Sequence, residues 1–526
     1  MKLNYKRTIL VGFAFFLISA FWQAYDATIP VILTNKFGMS QFWSGVVMAL
    51  DNILAVFMLP LFGAISDKCA SKHGKRTPFI TIGTIVAAVA ILGLAFIDNV
   101  QLKNISAVKE YDASTTLEVI YDSQNGVELL TPDGDPFVLS DETSDNKVAI
   151  SREAFCSIQA TVNDEETGKE KTNPDYTNYV IPARQAYAAE VTSNNPQPLV
   201  LFMIVLLIVL VAMAIFRSPA VALMPDVTVK PLRSKANAVI NLMGTAGGIL
   251  VLVLGIVFAT SAAKNQLMTY YAYYGVVAGI MLIALAIFLF TVREPAWSRQ
   301  MQDDSVRLGV EEDDEAAQAN RKLSASEKRS LLLILASVAL WYFGYNAVTS
   351  KYAVYAGNIL NMDYNTTLLI AQGAAIVAYL PAGIVASKIG RKKTIMAGVI
   401  MLAGAFFAAS FMRAGSPVLV MNILFALAGI GWATINVNSF PMVVEMCSGA
   451  DIGKYTGFYY TASMTAQIFT PMLSGFFMGL KGVGMTVLFP YAAIFAGLAF
   501  FTMAFVRHGD SVQVVKKGLE ALDIED

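Results

Sequence analysis

Twelve stretches of this chain run for about twenty residues or more with almost no charge. They fall at about 8–33, 42–65, 77–97, 199–222, 236–258, 268–292, 330–353, 366–386, 393–413, 417–444, 455–478 and 485–506. The hydrocarbon core of a bilayer is about 30 Å thick and takes ~20 apolar residues in a helix. Within it a helix satisfies each backbone N–H and C=O internally. These runs are continuous rather than alternating, so they predict an all-α integral membrane protein with twelve transmembrane helices. Only 15% of the 526 residues are charged, against about 25% in soluble domains. The charges gather outside the runs, with 25 in 98–197, 16 in 293–329 and 8 in 507–526.

That layout divides the chain into 1–97 (three helices), an insertion at 98–198, 199–292 (three helices), a linker at 293–329, 330–506 (six helices) and a tail at 507–526. The first run follows Lys2, Lys6 and Arg7 but continues apolar without a small-residue cleavage site, so it reads as a retained helix. Short connections on one side carry Lys68, Lys72, Lys75, Arg76, Lys230, Arg233, Lys235, Lys388, Arg391, Lys392, Lys393 and Lys454. Those on the other side carry only Lys36, Lys264, Lys351, Arg413 and Lys481. The bias of basic residues to the cytoplasmic side predicts a multi-pass protein of the cell (plasma or inner) membrane, with both termini cytoplasmic and the insertion outside.

Several chemistries are excluded. A net charge of −1 offers no basic surface for nucleic acid. Cys69, Cys156 and Cys447 stand far apart, and the two histidines, His73 and His508, lie in charged flanks, so no metal centre is expected. GxxxxGK[ST], HExxH and GxSxG motifs are missing, so the chain reads as neither an enzyme nor a cofactor protein.

The chain repeats itself. Gly63-Ala64-Ile65-Ser66-Asp67-Lys68 is followed by Gly74-Lys75-Arg76, and Gly383-Ile384-Val385-Ala386-Ser387-Lys388 by Gly390-Arg391-Lys392, at an offset of 320. Tyr25-Asp26-Ala27 and Tyr345-Asn346-Ala347 share that offset, whereas Asp226 and Lys235 match Glu445 and Lys454 at 219. Two parallel six-helix repeats result, and the offset changes across the insertion. The stretch 98–197 holds 18 acidic and 7 basic residues, with turns at Asn125-Gly126 and Pro132-Asp133-Gly134. Thr116–Tyr121 and Lys147–Ile150 read as strands, predicting a small, solvated, β-rich domain.

The G-x-x-x-D-[KR] element with its G-[KR]-[KR] continuation resembles the signature of the major facilitator superfamily. Gly63 and Gly383 allow close helix approach, Asp67 can accept from a neighbouring helix N-terminus, and Lys75, Arg76 and Arg391 hold the loops at the membrane surface. The longer form Ser66–Ile80 is similar to the loop of proton-coupled sucrose transporters and of glycoside–pentoside–hexuronide:cation symporters. Ser218-Pro219-Ala220-Val221-Ala222-Leu223-Met224-Pro225-Asp226 and Trp341-Tyr342-Phe343-Gly344-Tyr345-Asn346 carry the same resemblance. It departs at Val221, where plant sucrose carriers have arginine; here the nearest is Arg217, one turn earlier. The resemblance implies secondary transport of a sugar or glycoside with a coupling cation, taken as a proton.

Charge within the runs points to the site, because each such group costs several kcal/mol unless partnered or hydrated. Asp26, Asp51 and Arg217 qualify. Asp51 is read as the proton carrier, with Asp26 sharing coupling and substrate contact. Trp22 and Asp26 fall one turn apart, as do Trp341 and Tyr345. Gln23, Asn52, Asn346, Gln372, Asn436, Asn438 and Gln467 offer amides to sugar hydroxyls. Gly63, Asp67, Lys75, Arg76, Arg217, Asp226, Gly383, Arg391 and Glu445 are the gating candidates. Arg217 is read near the cytoplasmic end, about 8 Å from it. Two other readings stand beside sugar transport: an exporter of amphipathic organic molecules, and a non-transporting membrane sugar sensor.

Overall fold

A computed structural model describes residues 3–110, 113–142, 148–163, 170–229, 232–262, 265–307, 324–444, 446 and 452–509. The gating candidate Glu445 lies outside these residues, as do Lys230, Lys264 and Cys447.

Six long helices form a first set: α1 (Tyr5–Asn35), α2 (Gln41–Asp67), α3 (Thr77–Asn104), α7 (Gln197–Asp226), α8 (Arg233–Val257) and α9 (Tyr271–Thr291). Six more form a second set: α11 (Ala325–Tyr355), α12 (Tyr364–Ile389), α13 (Arg391–Ala409), α14 (Val418–Val444), α15 (Ile452–Met478) and α16 (Leu488–Ala504). Their starts are chemically marked. Ser40 accepts from Trp43 N, and Ser324 makes a capping box with Glu327. Asp363 accepts from the amides of Asn365 and Thr366. Proline occupies the first turn of α3 and α7, where a missing N–H costs nothing.

Among the described residues, ten helices are long and apolar enough to cross a membrane. The other two long ones, α12 and α15, reach 26 and 27 residues.

Packing repeats as the sequence does. In the first set α3 packs on α7 and α9, and α1 on α8 and α9; in the second, α13 packs on α14 and α16, and α11 on α15 and α16. Each set has its own buried core. The sets meet where α2 crosses α15 and α8 crosses α12. The α2–α15 crossing needs glycine: a Cβ on Gly45 would lie 2.0 Å from Pro471 O, and one on Gly475 would lie 2.2 Å from Gln41 O.

Between α3 and α7 the insertion folds as α4 (Ser114–Gln124), β1 (Glu128–Leu130), β2 (Pro136–Leu139), β3 (Val148–Ile150), α5 (Arg152–Cys156), β4 (Thr161–Asn163), β5 (Glu170–Thr172) and α6 (Ile181–Asn194). β2 pairs antiparallel with β1 and parallel with β3, while β4 and β5 form a separate hairpin. The expected β-rich domain is therefore mixed. Thr116–Tyr121, read as a strand, lies in α4. Its buried residues Thr116, Leu117, Ile120, Tyr121 and Gln124 follow the helical spacing, and that amphipathic face overrides the β-branched composition. The insertion core includes Leu102 and Ile105 from the end of α3 and Leu267 from the α8–α9 connection. It is thus continuous with the first helix set.

The linker is not wholly irregular. Its start forms α10 (Glu294–Arg307) at the opposite end of the bundle from the insertion.

Candidate functional site

The charged trio gathers around the first set's inner face. Asp26 lies nine residues before the end of α1, about 14 Å along the axis. Asp51 is ten residues into α2, about 15 Å from the same end of the bundle. Asn52 Nδ2 donates to Asp51 Oδ1 at 2.7 Å, and Arg217 is close enough for its charge to act on Asp51. Arg217 itself sits over the Trp22 ring, 6.0 Å from the centroid. That corrects its expected place near a helix end. α7 continues to Asp226, so Arg217 is nine residues, about 14 Å, inside. Its side chain is half-buried, over the Trp22 ring.

The second set contributes across the seam. Gln372 Nε2 on α12 donates to Gln23 Oε1 on α1 at 2.6 Å. Tyr345 on α11 stacks on Trp432 of α14, with ring centroids 3.6 Å apart and planes within 3°. Trp432 was not foreseen, because an isolated tryptophan in the run Gly429-Ile430-Gly431-Trp432-Ala433 carries no sign of which face it occupies. Tyr379 on α12 lies beside Asn436 on α14.

Other expected residues separate from this group. Trp341 is fully buried in the second core and does not share the exposure of Tyr345. Four residues rotate by about 400°, a net offset of about 40° around the helix, and that offset is enough to move a side chain from seam to core. Asn438 Nδ2 and Gln467 Nε2 donate to carbonyls of their own helices, Thr434 O at 2.8 Å and Ser463 O at 3.3 Å. Those bonds satisfy the amides locally.

Trp22 Nε1, Tyr25 OH and Asn346 Nδ2 are buried polar atoms with no hydrogen-bond partner among the described residues. Buried polar atoms are nearly always paired in folded proteins. Orphans grouped with two carboxylates, one guanidinium and a stacked aromatic pair form a surface suited to a ligand rich in hydroxyls.

The gating candidates are tightly knit at the first copy. Arg76 pairs with Asp67, donates from Nε to Asp226 Oδ2 at 2.7 Å and also reaches Ser66 Oγ. Gly63 faces Ser218, whose Oγ would lie 3.0 Å from an added Cβ. Glu294, which sequence reasoning left in the charged linker, is buried here. Its carboxylate accepts from Arg76 N and Thr77 N, both at 2.8 Å, and from Thr77 Oγ1 at 2.7 Å. It caps the start of α3. Lys75 is exposed. At the second copy Gly383 is looser, with Val437 3.8 Å from an added Cβ, and Arg391 is half-buried.

Matches to known families decide the affiliation. The Major Facilitator Superfamily model matches residues 185–378 and 364–521, more than half of the chain, and a model described as MFS/sugar transport protein matches 10–104. The chain belongs to the major facilitator superfamily.

Within that superfamily, two sucrose transport proteins of Arabidopsis thaliana are similar over short stretches, 32% identical over 58 residues and 34% over 59. Each stretch is 11% of this chain and spans only 11% and 10% of those relatives' own lengths. Among solved structures, a D-xylose–proton symporter superposes with a TM-score of 0.58 at 14% identity, over 96% of this chain and 99% of its own. The inward-open xylose transporter of E. coli gives 0.59 at 15% identity, over 99% and 100%. A nucleoside transporter variant gives 0.56 at 13%, over 95% and 100%. These structures, superposed over 95% to 99% of the chain, share its fold.

Proposed function

We propose that this protein is a secondary transporter that moves a sugar or glycoside by alternating access, with proton symport. The observation that carries the reading is the seam itself. Unpartnered Trp22 Nε1, Tyr25 OH and Asn346 Nδ2 gather with Asp26, Asp51 and the Gln23–Gln372 bridge between the two helix sets. Hydroxyl-rich substrates bind through such convergent donors and acceptors beside aromatic walls. Sites between two repeats near mid-membrane are where rocking of one repeat against the other exposes a ligand alternately to each side. The MFS/sugar transport match over 10–104 covers Trp22, Gln23, Asp26, Asp51 and Asn52, and supports the sugar class.

All twelve long helices cross the membrane in this proposal, α12 and α15 with their polar faces turned to the seam. The termini and α10 are cytoplasmic, the insertion is outside, and the membrane is the plasma or inner membrane. Asp51 carries the proton, because two carboxylates on consecutive helices at similar depth disfavour double ionisation. Asn52 and Arg217 stabilise its charged form when the proton leaves. Asp26, beside Trp22 and Tyr25, meets the sugar.

The test is uptake by proteoliposomes from a panel of labelled saccharides. Asp51→Asn should abolish accumulation driven by a pH gradient and preserve exchange of the same sugar at equal concentrations. Asp26→Asn should impair both. Accumulation by Asp51→Asn under a pH gradient alone would remove Asp51 as carrier, and a wild type driven only by sodium would remove the proton.

A further inference from the structure

The insertion belongs to the first helix set by its packing, yet it also grips the second. On the first side the attachment is a shared apolar core through Leu102, Ile105 and Leu267. Polar ties reinforce it: Gln185 Nε2 donates to Asn35 Oδ1 at 2.7 Å, and Gln101 Nε2 to Lys36 O at 2.9 Å and Thr192 Oγ1 at 3.0 Å. An apolar core of this kind makes one rigid body.

On the second side the contacts are of another kind. The β1–β2 turn, Thr131–Asp135, lies against the α15–α16 connection. Gly482 N donates to Gly134 O at 2.7 Å, and Met485 N to Pro132 O at 2.6 Å. Lys481 pairs with Glu128. The two backbones touch. A Cβ on Gly484 would lie 2.2 Å from Asp133 C, and one on Gly134 would lie 2.6 Å from Gly484 N. Both glycines have positive φ, +61° and +89°. A second contact joins the π-helical turn Tyr176–Val180 to the π-helical turn Ala356–Leu360 after α11, where Thr177 and Asn361 side chains approach at 3.4 Å. Asn361 holds a left-handed conformation at φ 50°.

These grips lie at the end of the bundle where the sets also close on each other. There Lys351 Nζ donates to Gln41 O at 2.6 Å, and Asn365 Nδ2 to Thr260 Oγ1 at 3.0 Å. We propose that the insertion is an interdomain strap, fused to the first helix set and clasped reversibly to the second, which favours the state closed at the insertion end. The inference rests on the alternating-access reading, because only a bundle that opens at that end must release the clasp. The asymmetry supports it: an apolar core does not part on each cycle, whereas two backbone hydrogen bonds, an exposed ion pair and one amide contact can. A strap of this build sets the resting balance between open and closed forms without touching the substrate.

The experiment reads conformation rather than transport. Spin labels are placed at exposed Asn195 on the first side and exposed Ala414 on the second, in a background without native cysteines, and their separation is measured by double electron–electron resonance in nanodiscs. Lys481→Glu should raise the population at longer distance roughly two- to fivefold, as expected for loss of an exposed pair. The swap Lys481→Glu with Glu128→Lys should return it toward wild type. Gly484→Ala, which forces two backbones apart, should raise it further. Should Gly484→Ala fail to yield monodisperse protein, the Lys481 pair alone decides. Unchanged distance distributions in Lys481→Glu would overturn the strap. A shift with no uptake of any saccharide by the wild type would leave the strap standing and remove the substrate reading alone.

Discussion

Trp432 lies flat against Tyr345, and the two rings together make an aromatic slab on the second set's side of the seam. Sugars present C–H faces that pack on such slabs, and a stacked aromatic contact is worth about 0.5–1.5 kcal/mol beyond its buried area. Trp432→Ala should therefore raise the KM for sugar uptake by roughly tenfold. Trp432→Phe should retain most of the affinity. An alanine variant with wild-type KM and reduced protein stability would assign the pair to packing alone. Residue chemistry was legible in the sequence where rarity did the selecting. Asp26, Asp51 and Arg217 stood out because charge is costly in a membrane helix, and all three fall near the seam. Amides gave no such signal. Gln372 spans the seam to Gln23, whereas Asn438 and Gln467 bond their own helices, and nothing in residue type separates those fates.

Helix ends hold their own surprises. Lys36 and Asp98, assigned from sequence to a loop and to the insertion, both have side chains with 0% exposure. Lys36 Nζ donates to Asp98 Oδ1 at 2.6 Å, to Asp98 Oδ2 at 2.7 Å and to Met268 O at 2.7 Å, above the Tyr270 ring. This ties α1, α3 and the start of α9 at one point. Lys351 is likewise buried, on Gln41 O. Counting lysines by connection treats all of them as solvated, and burial is invisible to that count. Removing one partner of a buried pair leaves an uncompensated charge and costs about 3–5 kcal/mol, while replacing both by apolar groups is often neutral. Asp98→Asn should lower the melting temperature clearly in a thermal-shift assay. Lys36→Met combined with Asp98→Leu should recover most of the loss. A wild-type melting curve for Asp98→Asn would contradict the coupling.

At the scale of the whole molecule, the two-set architecture was legible because each apolar run exceeds a membrane span and the short motifs recur at fixed offsets. The insertion was legible only in outline: its acidic charge marked it as solvated, but short strands and helices of mixed composition gave no register. Its place relative to the membrane is open to a direct measurement. Val127→Cys, at a residue 43% exposed, should react with an impermeant maleimide on intact cells. Labelling only after permeabilisation would invert the orientation. Native Cys156 should contribute little: burial pushes its thiol above the ordinary range, so the reactive thiolate is scarce at neutral pH and increases only as pH rises. The capping of α3 by Glu294 has a consequence for the chain's covalent continuity. Because Arg7 Nη2 also donates to Trp297 O at 2.5 Å, α10 is fastened to the first set at two points. The peptide link between the halves is therefore effectively the stretch after Arg307. A gene divided there, yielding fragments 1–315 and 316–526, should produce two polypeptides that co-purify and restore uptake when co-expressed, whereas a division before Glu294 would strip the first fragment of its own helix cap.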